Sequence, residues 1–154
     1  MSQQPRQFCT FHVENLFLGI DVQQVQEVIR YQVMSRVPLA PPAVSGLINL
    51  RGQIVTAIDL RVRLGLPLRP AGERPMNIVV RDEDGAVSLL VDSIGEVLEV
   101  DEESFERPPS TVRPSVRGLI LGAYKLPNKL LLVLDTVQAV TKHESRSAES
   151  RIAG

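Results

Sequence analysis

Short apolar runs, each closed by turn-forming residues, are the feature of this sequence that most restricts its fold. Runs of this length are typical of β-strands, whereas helices need longer segments with a 3.6-residue period. No amphipathic stretch of twelve or more residues occurs between them. About ten runs can be counted: FCTFHV, LFLGI, EVIRYQVM, GLINL, QIVTAIDL, MNIVVRD, AVSLLVD, EVLEV, GLILGAY and KLLLVLD. The sequence therefore predicts an all-β barrel or sandwich.

Turn residues between these runs predict where the chain reverses. Asp21 and Asp59 can each cap a single helical turn, and the second of these turns ends at Gly65, a residue suited to a helix C-terminus. Three short connections contain residue pairs that favour tight β-hairpins. They are Glu14-Asn15, Asp84-Gly85 and Pro127-Asn128.

A weak internal repeat divides the chain into two related halves. The order FLGID, QEVI, SGLINL, IVTAIDL recurs as SLLVD, GEVLEV, RGLILG, LLLVLDT. Asp21 recurs as Asp92 after 71 positions, Gly46 as Gly118 after 72, and Asp59 as Asp135 after 76. Each copy has too few residues to bury a large core alone, so we expect the two copies to share an apolar interface.

Composition argues against several classes of partner. A net charge of -1 and an aromatic content of 4% provide neither the positive field nor the stacking groups of nucleic-acid binders, so we expect no nucleic-acid partner. The N-terminus has no apolar h-region and the longest aliphatic run is Leu130 to Leu134, so we expect neither export nor membrane insertion. A single cysteine fits a reducing, cytoplasmic location.

Reactive groups are too sparse for a convincing catalytic or metal site. Cys9 and His12 lie three positions apart in a predicted strand, where alternation places them on opposite faces. The other histidine, His143, lies near the C-terminus, and no glycine-rich phosphate loop occurs. We therefore expect no catalytic residue, metal or cofactor. An interaction module remains, and a small β-barrel enzyme that uses Cys9 is the alternative from another class.

The stretch GLINLRGQIVTAIDL places a charged residue between two apolar runs. Gly52 tolerates backbone conformations that other residues resist, which predicts a turn or bulge at Arg51-Gly52. Arg51 then projects outward. The second half has no equivalent arginine, so the repeated fold alone does not require it.

Residues 27–66, EVIRYQVMSRVPLAPPAVSGLINLRGQIVTAIDLRVRLGL, resemble the signature of CheW-like coupling proteins of bacterial chemosensory arrays. The resemblance extends over residues 8–141. It implies two five-stranded SH3-like β-barrels packed on a shared hydrophobic core, with short helical turns. One domain at 1–141 is then expected, with subdomain 1 at about 14–72, subdomain 2 at about 8–13 plus 73–141, and a flexible polar tail at 142–154.

The same resemblance implies a non-catalytic adaptor. Such proteins bind the cytoplasmic tips of chemoreceptors and the regulatory domain of the histidine kinase CheA, so we expect both partners, with one surface on each barrel. Recruitment to membrane-associated receptor arrays follows from these partners. A related alternative is the scaffold of a chemosensory pathway that controls something other than flagellar motility.

Site residues are likewise implied by matching positions. Glu27 and Arg51 match the polar pair important for receptor coupling, and Val25 and Gly46 match positions of the receptor groove. Leu47 and Ile48 are candidates for an apolar floor of that groove, with ordinary core residues as the alternative. A Glu27–Arg51 salt bridge on the surface would set orientation and specificity more than stability.

Overall fold

The computed structural model describes residues 5–83 and 85–140, and strands dominate this part of the chain. The strands are β1 (Arg6–Val13), β2 (Leu16–Asp21), β3 (Val25–Ile29), β4 (Val44–Leu50), β5 (Gln53–Asp59), β6 (Met76–Asp82), β7 (Gly85–Val91), β8 (Ser93–Val100), β9 (Phe105–Glu106), β10 (Ile120–Lys125) and β11 (Leu130–Leu134). Helical segments are single turns: α1 (Leu60–Arg63), α2 (Pro114–Arg117), residues 136–140, and 3-10 turns at Val22–Gln24 and Glu102–Ser104. The predicted all-β class is confirmed.

The strands form two sheets. The first has the order β3-β6-β7-β5-β4 and is called the first barrel below. The second has the order β8-β1-β2-β11-β10-β9 and is called the second barrel. The two edge strands of the first barrel curl toward each other, because Ile29 of β3 packs in the same apolar cluster as Ile48 of β4.

More strands belong to the barrel of the other half of the chain than the sequence predicted. β1 pairs with β8, as expected for a first strand that crosses to the second barrel. However, β2 stays with β1 in the second barrel, and β6 and β7 belong to the first. Strand pairing therefore does not follow the expected boundaries at 14–72 and 73–141. The physical reason is strand pairing: β2 pairs with β1 along its whole length, whereas β6 pairs with β3 and β7 pairs in parallel with β5.

A shared apolar core joins the two barrels, as predicted. Its largest cluster combines Phe11 and Ile20 of the second barrel with Ile58 and Leu89 of the first. Each barrel also has a smaller cluster of its own, one containing Phe8 and Tyr124 and the other containing Ile48, Leu50, Val55 and Val79. Because apolar burial is the main driving force for folding, neither barrel is expected to be stable alone.

Local turn predictions are confirmed within the described residues. The Asp21 side chain accepts a hydrogen bond from the backbone N–H of Gln23, and the Asp59 side chain accepts one from that of Arg61. Gly65 has φ +71° just after α1, as a left-handed helix stop requires. All three hairpins occur, although residue 84 itself lies outside the described residues, as does the predicted tail.

The repeat is confirmed, but one of its landmarks is corrected. Gly46 pairs with Ala57 beside a bulge in β4, and Gly122 pairs with Val133 beside a bulge in β10. Gly122, and not Gly118, is therefore the counterpart of Gly46. Asp59 and Asp135 keep their predicted relationship: the N–H of Asp59 donates to Ala43 and that of Asp135 donates to Leu119, both at 2.8 Å.

Candidate functional site

Arg51 lies in a two-residue turn between β4 and β5. Leu50 pairs with Gln53 across the turn, and Arg51 and Gly52 have φ values of 52° and 89°. Two positive φ values are characteristic of a type I′ turn, which matches the twist of the flanking strands. The side chain of Asn49 accepts a hydrogen bond of 2.8 Å from the N–H of Gly52. The predicted turn is therefore present, and Arg51 adopts a backbone conformation that is unusual for a residue with a Cβ.

The Arg51 side chain forms an ion pair with Glu27. Nη2 of Arg51 donates to Oε2 of Glu27. The Arg51 side chain is 71% exposed and that of Glu27 is 22% exposed. Glu27 lies on β3 and Arg51 follows β4, the two edge strands of the first barrel. The pair therefore spans the opening between these edges, where no ladder hydrogen bonds join them.

The ion pair shifts the acidity of both groups. The hydrogen bond from Arg51 lowers the pKa of Glu27, and the hydrogen bond to Glu27 raises the pKa of Arg51. Both shifts favour the charged forms near neutral pH. An arginine this exposed retains donors for a carboxylate of a partner, because guanidinium has five N–H groups.

Among the described residues, neither Gly46 nor Val25 takes part in the hydrogen bond of this ion pair. Both residues instead have a role in the packing of the first barrel. A Cβ on Gly46 would lie 2.7 Å from the carbonyl oxygen of Ser35. Ser35 is held there by two backbone hydrogen bonds of 2.8 Å with Leu47. Gly46 is therefore required by the close approach of residues 34–35. Val25 is half-buried and packs against the shared core.

Leu47 and Ile48 differ in accessibility. Ile48 is 1% exposed and packs with Leu50 and Val55 in the small cluster of the first barrel. This placement matches the alternative reading of Ile48 as an ordinary core residue. Leu47 is half-buried. Of the six predicted positions, the structure brings Glu27 and Arg51 into direct contact.

Ile54 is an exposed apolar residue near the pair that the sequence analysis did not single out. It lies directly across from Asn49 in the β4–β5 hairpin and is 61% exposed. The signal was available, because an inward Val55 requires an outward neighbour in an alternating strand. Ile54 supplies exposed apolar surface on the same hairpin as Arg51, which buried Ile48 does not.

The second barrel carries a groove at the corresponding place. Its turn, Leu126 to Lys129, matches Leu50 to Gln53 in register, so Pro127 takes the position of Arg51. Leu98 takes the position of Glu27: it pairs with Phe8 on β1 as Glu27 pairs with Val79 on β6. The groove has a volume of about 460 Å³. Its lining is Thr10, His12, Phe17, Gly95, Glu96, Leu98, Glu99 and residues 126–129.

Cys9 does not have the environment of an activated nucleophile. The residue is half-buried in β1, opposite Ile20 and Val97, and burial raises the pKa of its thiol. Reactive cysteines have a lowered pKa. Residues 5–83 and 85–140 contain no cluster of three histidine, cysteine or acidic side chains able to hold a metal ion, and no helix long and apolar enough to cross a membrane.

Comparison with known proteins agrees with this geometry. The family model of the CheW-like domain matches residues 7–144. Chemotaxis protein CheW of Bacillus subtilis is 33% identical over 138 residues, covering 90% of this chain and 88% of the relative. CheW of Treponema pallidum is 29% identical, covering 84% of this chain and 78% of the relative. The crystal structure of the scaffolding protein TtCheW from Thermoanaerobacter tengcongensis superimposes with a TM-score of 0.76 at 30% identity, covering 85% of this chain and 89% of that one. This chain belongs to the CheW-like family of chemotaxis scaffold proteins.

Proposed function

We propose that this protein is a non-catalytic adaptor that couples chemoreceptor signalling tips to the regulatory domain of a CheA-type histidine kinase. In this proposal it works at the cytoplasmic side of receptor arrays and is recruited there by its partners. The first barrel contacts the receptor, and the second contacts the kinase. Family membership supports the adaptor role, and the surface of the first barrel supports the assignment of the receptor site.

The observation that carries the receptor site is the surface ion pair between Glu27 on β3 and Arg51 just after β4, the two edge strands of the first barrel. An ion pair at this level of exposure adds little to folding stability. Charged groups at the rim of an interface instead set register and partner choice. Ile54 lies on the same hairpin as Arg51 and offers apolar contact area. Together they fit one face of a receptor helix that carries apolar residues and an acidic residue.

Kinase autophosphorylation in the presence of a receptor signalling fragment tests this proposal. Wild-type protein is expected to make the kinase responsive to the receptor, and Arg51→Glu is expected to abolish that response while kinase binding persists. Arg51→Glu lies on an exposed turn, so its circular dichroism and thermal unfolding should stay close to wild type. Absence of any wild-type effect on an active kinase would refute the adaptor role.

Two further variants separate a partner contact from an internal one. Lys125→Glu is a matched charge reversal on the second barrel, in a surface ion pair with Glu106 at 3.7 Å. It should leave receptor binding unchanged. The double variant Glu27→Arg/Arg51→Glu restores an ion pair of opposite polarity. Restored receptor binding would show that the pair matters as a unit, whereas continued loss would show that Arg51 itself contacts an acidic group of the receptor.

A further inference from the structure

Two arginines of α1 are buried at the junction of the barrels. Arg61 and Arg63 are each 7% exposed, although arginine is almost never fully buried unless it is paired. They belong to the LRVR segment that follows β5, and the Glu27–Arg51 site does not use them. Both side chains reach from the first barrel to the second, in different directions.

Arg61 reaches the point where the chain crosses between the barrels. Its Nε lies 3.0 and 3.2 Å from the two carboxylate oxygens of Asp92, and its Nη2 lies 2.5 Å from one of them. Asp92 is the single residue between β7 of the first barrel and β8 of the second. The same carboxylate accepts the N–H of Glu14, in the β1–β2 turn, at 2.6 Å. One carboxylate therefore links α1 to the β1–β2 turn of the second barrel, at the residue that leads into β8.

Arg69 completes the arrangement around Asp92. Its Nη2 and Nε donate to Oδ1 of Asp92 at 2.9 and 3.1 Å, and its Nη1 lies 3.4 Å from Asp59. Burial opposes ionisation of Asp92, but hydrogen bonds from Arg61, the Glu14 N–H and Arg69 outweigh it and lower its pKa. The carboxylate is thus charged and multiply bonded at neutral pH.

Arg63 makes the second link. Its Nε donates to the carbonyl oxygen of Ala139 at 3.0 Å, and its Nη2 donates to that of Gln138 at 3.3 Å. Both carbonyls belong to helical residues 136–140, which follow β11 of the second barrel. Just after α1, the carbonyl oxygen of Leu64 accepts a hydrogen bond of 2.9 Å from the hydroxyl of Ser115 in α2.

The repeated fold does not require these arginines. Residues 136–140 are the counterpart of α1, since each segment follows an aspartate that caps it: Asp59 accepts the N–H two residues on, and Asp135 accepts the N–H three residues on. In that copy, valine and alanine occupy the positions of Arg61 and Arg63, and Val137 is 63% exposed. The two arginine links therefore come from the first barrel only, and the repeated fold does not supply equivalents in the second.

We propose that Arg61, Arg63 and Asp92 form a polar clamp that fixes the angle between the two barrels, and that they act as positioning residues for coupling. The shared core is apolar, and apolar attraction is non-directional. Charge-assisted hydrogen bonds have defined geometry and set relative orientation. The coupling part rests on the proposed function: if the receptor and kinase bind different barrels, a fixed angle is what transmits the state of one to the other.

Spin-label distance measurement tests the clamp without any partner. Labels are placed at the exposed positions Ile54 and Val97, one on each barrel, after Ile54→Cys and Val97→Cys in a Cys9→Ser background. Wild type is expected to give a narrow distance distribution, and Arg61→Gln a broader or shifted one. Arg63→Gln is the second variant, which tests the other link should Arg61→Gln fail to fold. The matched control is Arg6→Gln, which removes an ion pair of 2.9 Å with Asp21 within the second barrel.

The same variants, unlabelled, are assayed for separate receptor binding, separate kinase binding and receptor-dependent kinase stimulation. The clamp variants are expected to lose about fivefold or more in stimulation, with both separate affinities within about twofold of wild type and Arg6→Gln unaffected. Unchanged distance distributions in both clamp variants would overturn the proposal. The proposal would also be overturned if kinase stimulation fell only in proportion to a loss of affinity for the receptor alone or for the kinase alone. If the wild-type protein does not stimulate the kinase, the coupling role is refuted. The distance measurement then still tests whether the clamp fixes the angle between the barrels.

Discussion

The two barrels have the same framework and different chemistry at one corresponding place. Their hairpins β4–β5 and β10–β11 share the same register, the same bulge and the same capped helix afterwards. Where the first barrel has the Glu27–Arg51 ion pair, the second has Leu98 and Pro127 beside a groove. Positions that the barrel fold requires have the same geometry in both copies. The positions that differ are therefore the best candidates for contacts with different partners.

The turns at these positions differ in backbone conformation as well. Arg51 has φ 52°, in the left-handed region that favours glycine or asparagine. Pro127 has its φ fixed near −65° by its ring and fits the first central position of a common turn. The first barrel thus holds a strained, charged residue where the second has a relaxed, apolar one, and strain of this kind concentrates at functional sites.

The largest effect is expected for the repeat landmark Asp92, compared with its counterpart Asp21. Asp92→Asn removes the charge that partners Arg61 and Arg69, both nearly buried, and should lower the free energy of unfolding by about 3 kcal/mol. Asp21→Asn should cost less than about 1 kcal/mol, because its partner Arg6 is solvent-screened. Urea denaturation measures both. Equal losses would mean that the two landmarks are equivalent in energy as well as in position.

Lowering the pH should remove the difference in the free energy of unfolding between the wild-type protein and Asp92→Asn. Asp92 faces Arg61, Arg69, Asp59 and the turn at Glu14, and its pKa in the folded state lies below the ordinary 3.8. Its contribution is therefore complete above the unfolded-state pKa and is lost as the pH falls toward the folded-state value. The stability gap should stay constant from neutral pH to about pH 5 and shrink below about pH 4. A gap that persists at lower pH would contradict the ion-pair explanation.

Alanine at the two corresponding glycines tests the structural repeat. A Cβ on Gly46 would meet the Ser35 carbonyl oxygen at 2.7 Å, and one on Gly122 would meet the Glu106 carbonyl oxygen at 2.6 Å and would also clash with the Phe105 ring. Each substitution should destabilise the protein by about 2 kcal/mol. Gly118→Ala is the control, since its nearest contact is an ordinary 3.7 Å. A larger loss for Gly118→Ala than for Gly122→Ala would reject the corrected alignment.

The smallest effect on stability is expected for Arg51→Asn. Asparagine suits a type I′ turn better than arginine, so the thermal midpoint should stay constant or rise by about 1 to 2 °C. Receptor binding should nevertheless fall, because the guanidinium is gone. A clear drop in the midpoint would show that Arg51 stabilises the fold, and the contrast between the barrels would then be structural.

Sequence reasoning succeeded where a local rule was sufficient. The Arg51-Gly52 turn, the aspartate caps and the short strands each follow from a few adjacent residues. The family resemblance placed Glu27 and Arg51 together, and the structure joins them. The match of Gly46 to Gly118 was wrong because GLINL and GLILG look alike, whereas the register of β10 with β11 selects Gly122.

Long-range contacts were beyond sequence reasoning. Arg61 reads as a solvated residue of a turn, and Arg69 lies in a proline-rich connection without periodicity, yet both converge on Asp92. The hairpin after Val13 was predicted, but keeping its two strands in one sheet also required knowing that β2 pairs with β11. Contacts between residues more than 100 positions apart leave no signature in local pattern.

That parallel pairing has a consequence for the order in which the protein forms on the ribosome. All five strands of the first barrel have been synthesised once residue 91 is made. In contrast, Leu18 of β2 cannot form its pairing with β11 until Leu132 has been made. The β1–β2 hairpin is therefore made before the other described strands and is among the last of them to be enclosed. Because late, non-local pairing slows folding and leaves strand edges exposed, we expect this hairpin to be the segment of the nascent chain that depends most on chaperones.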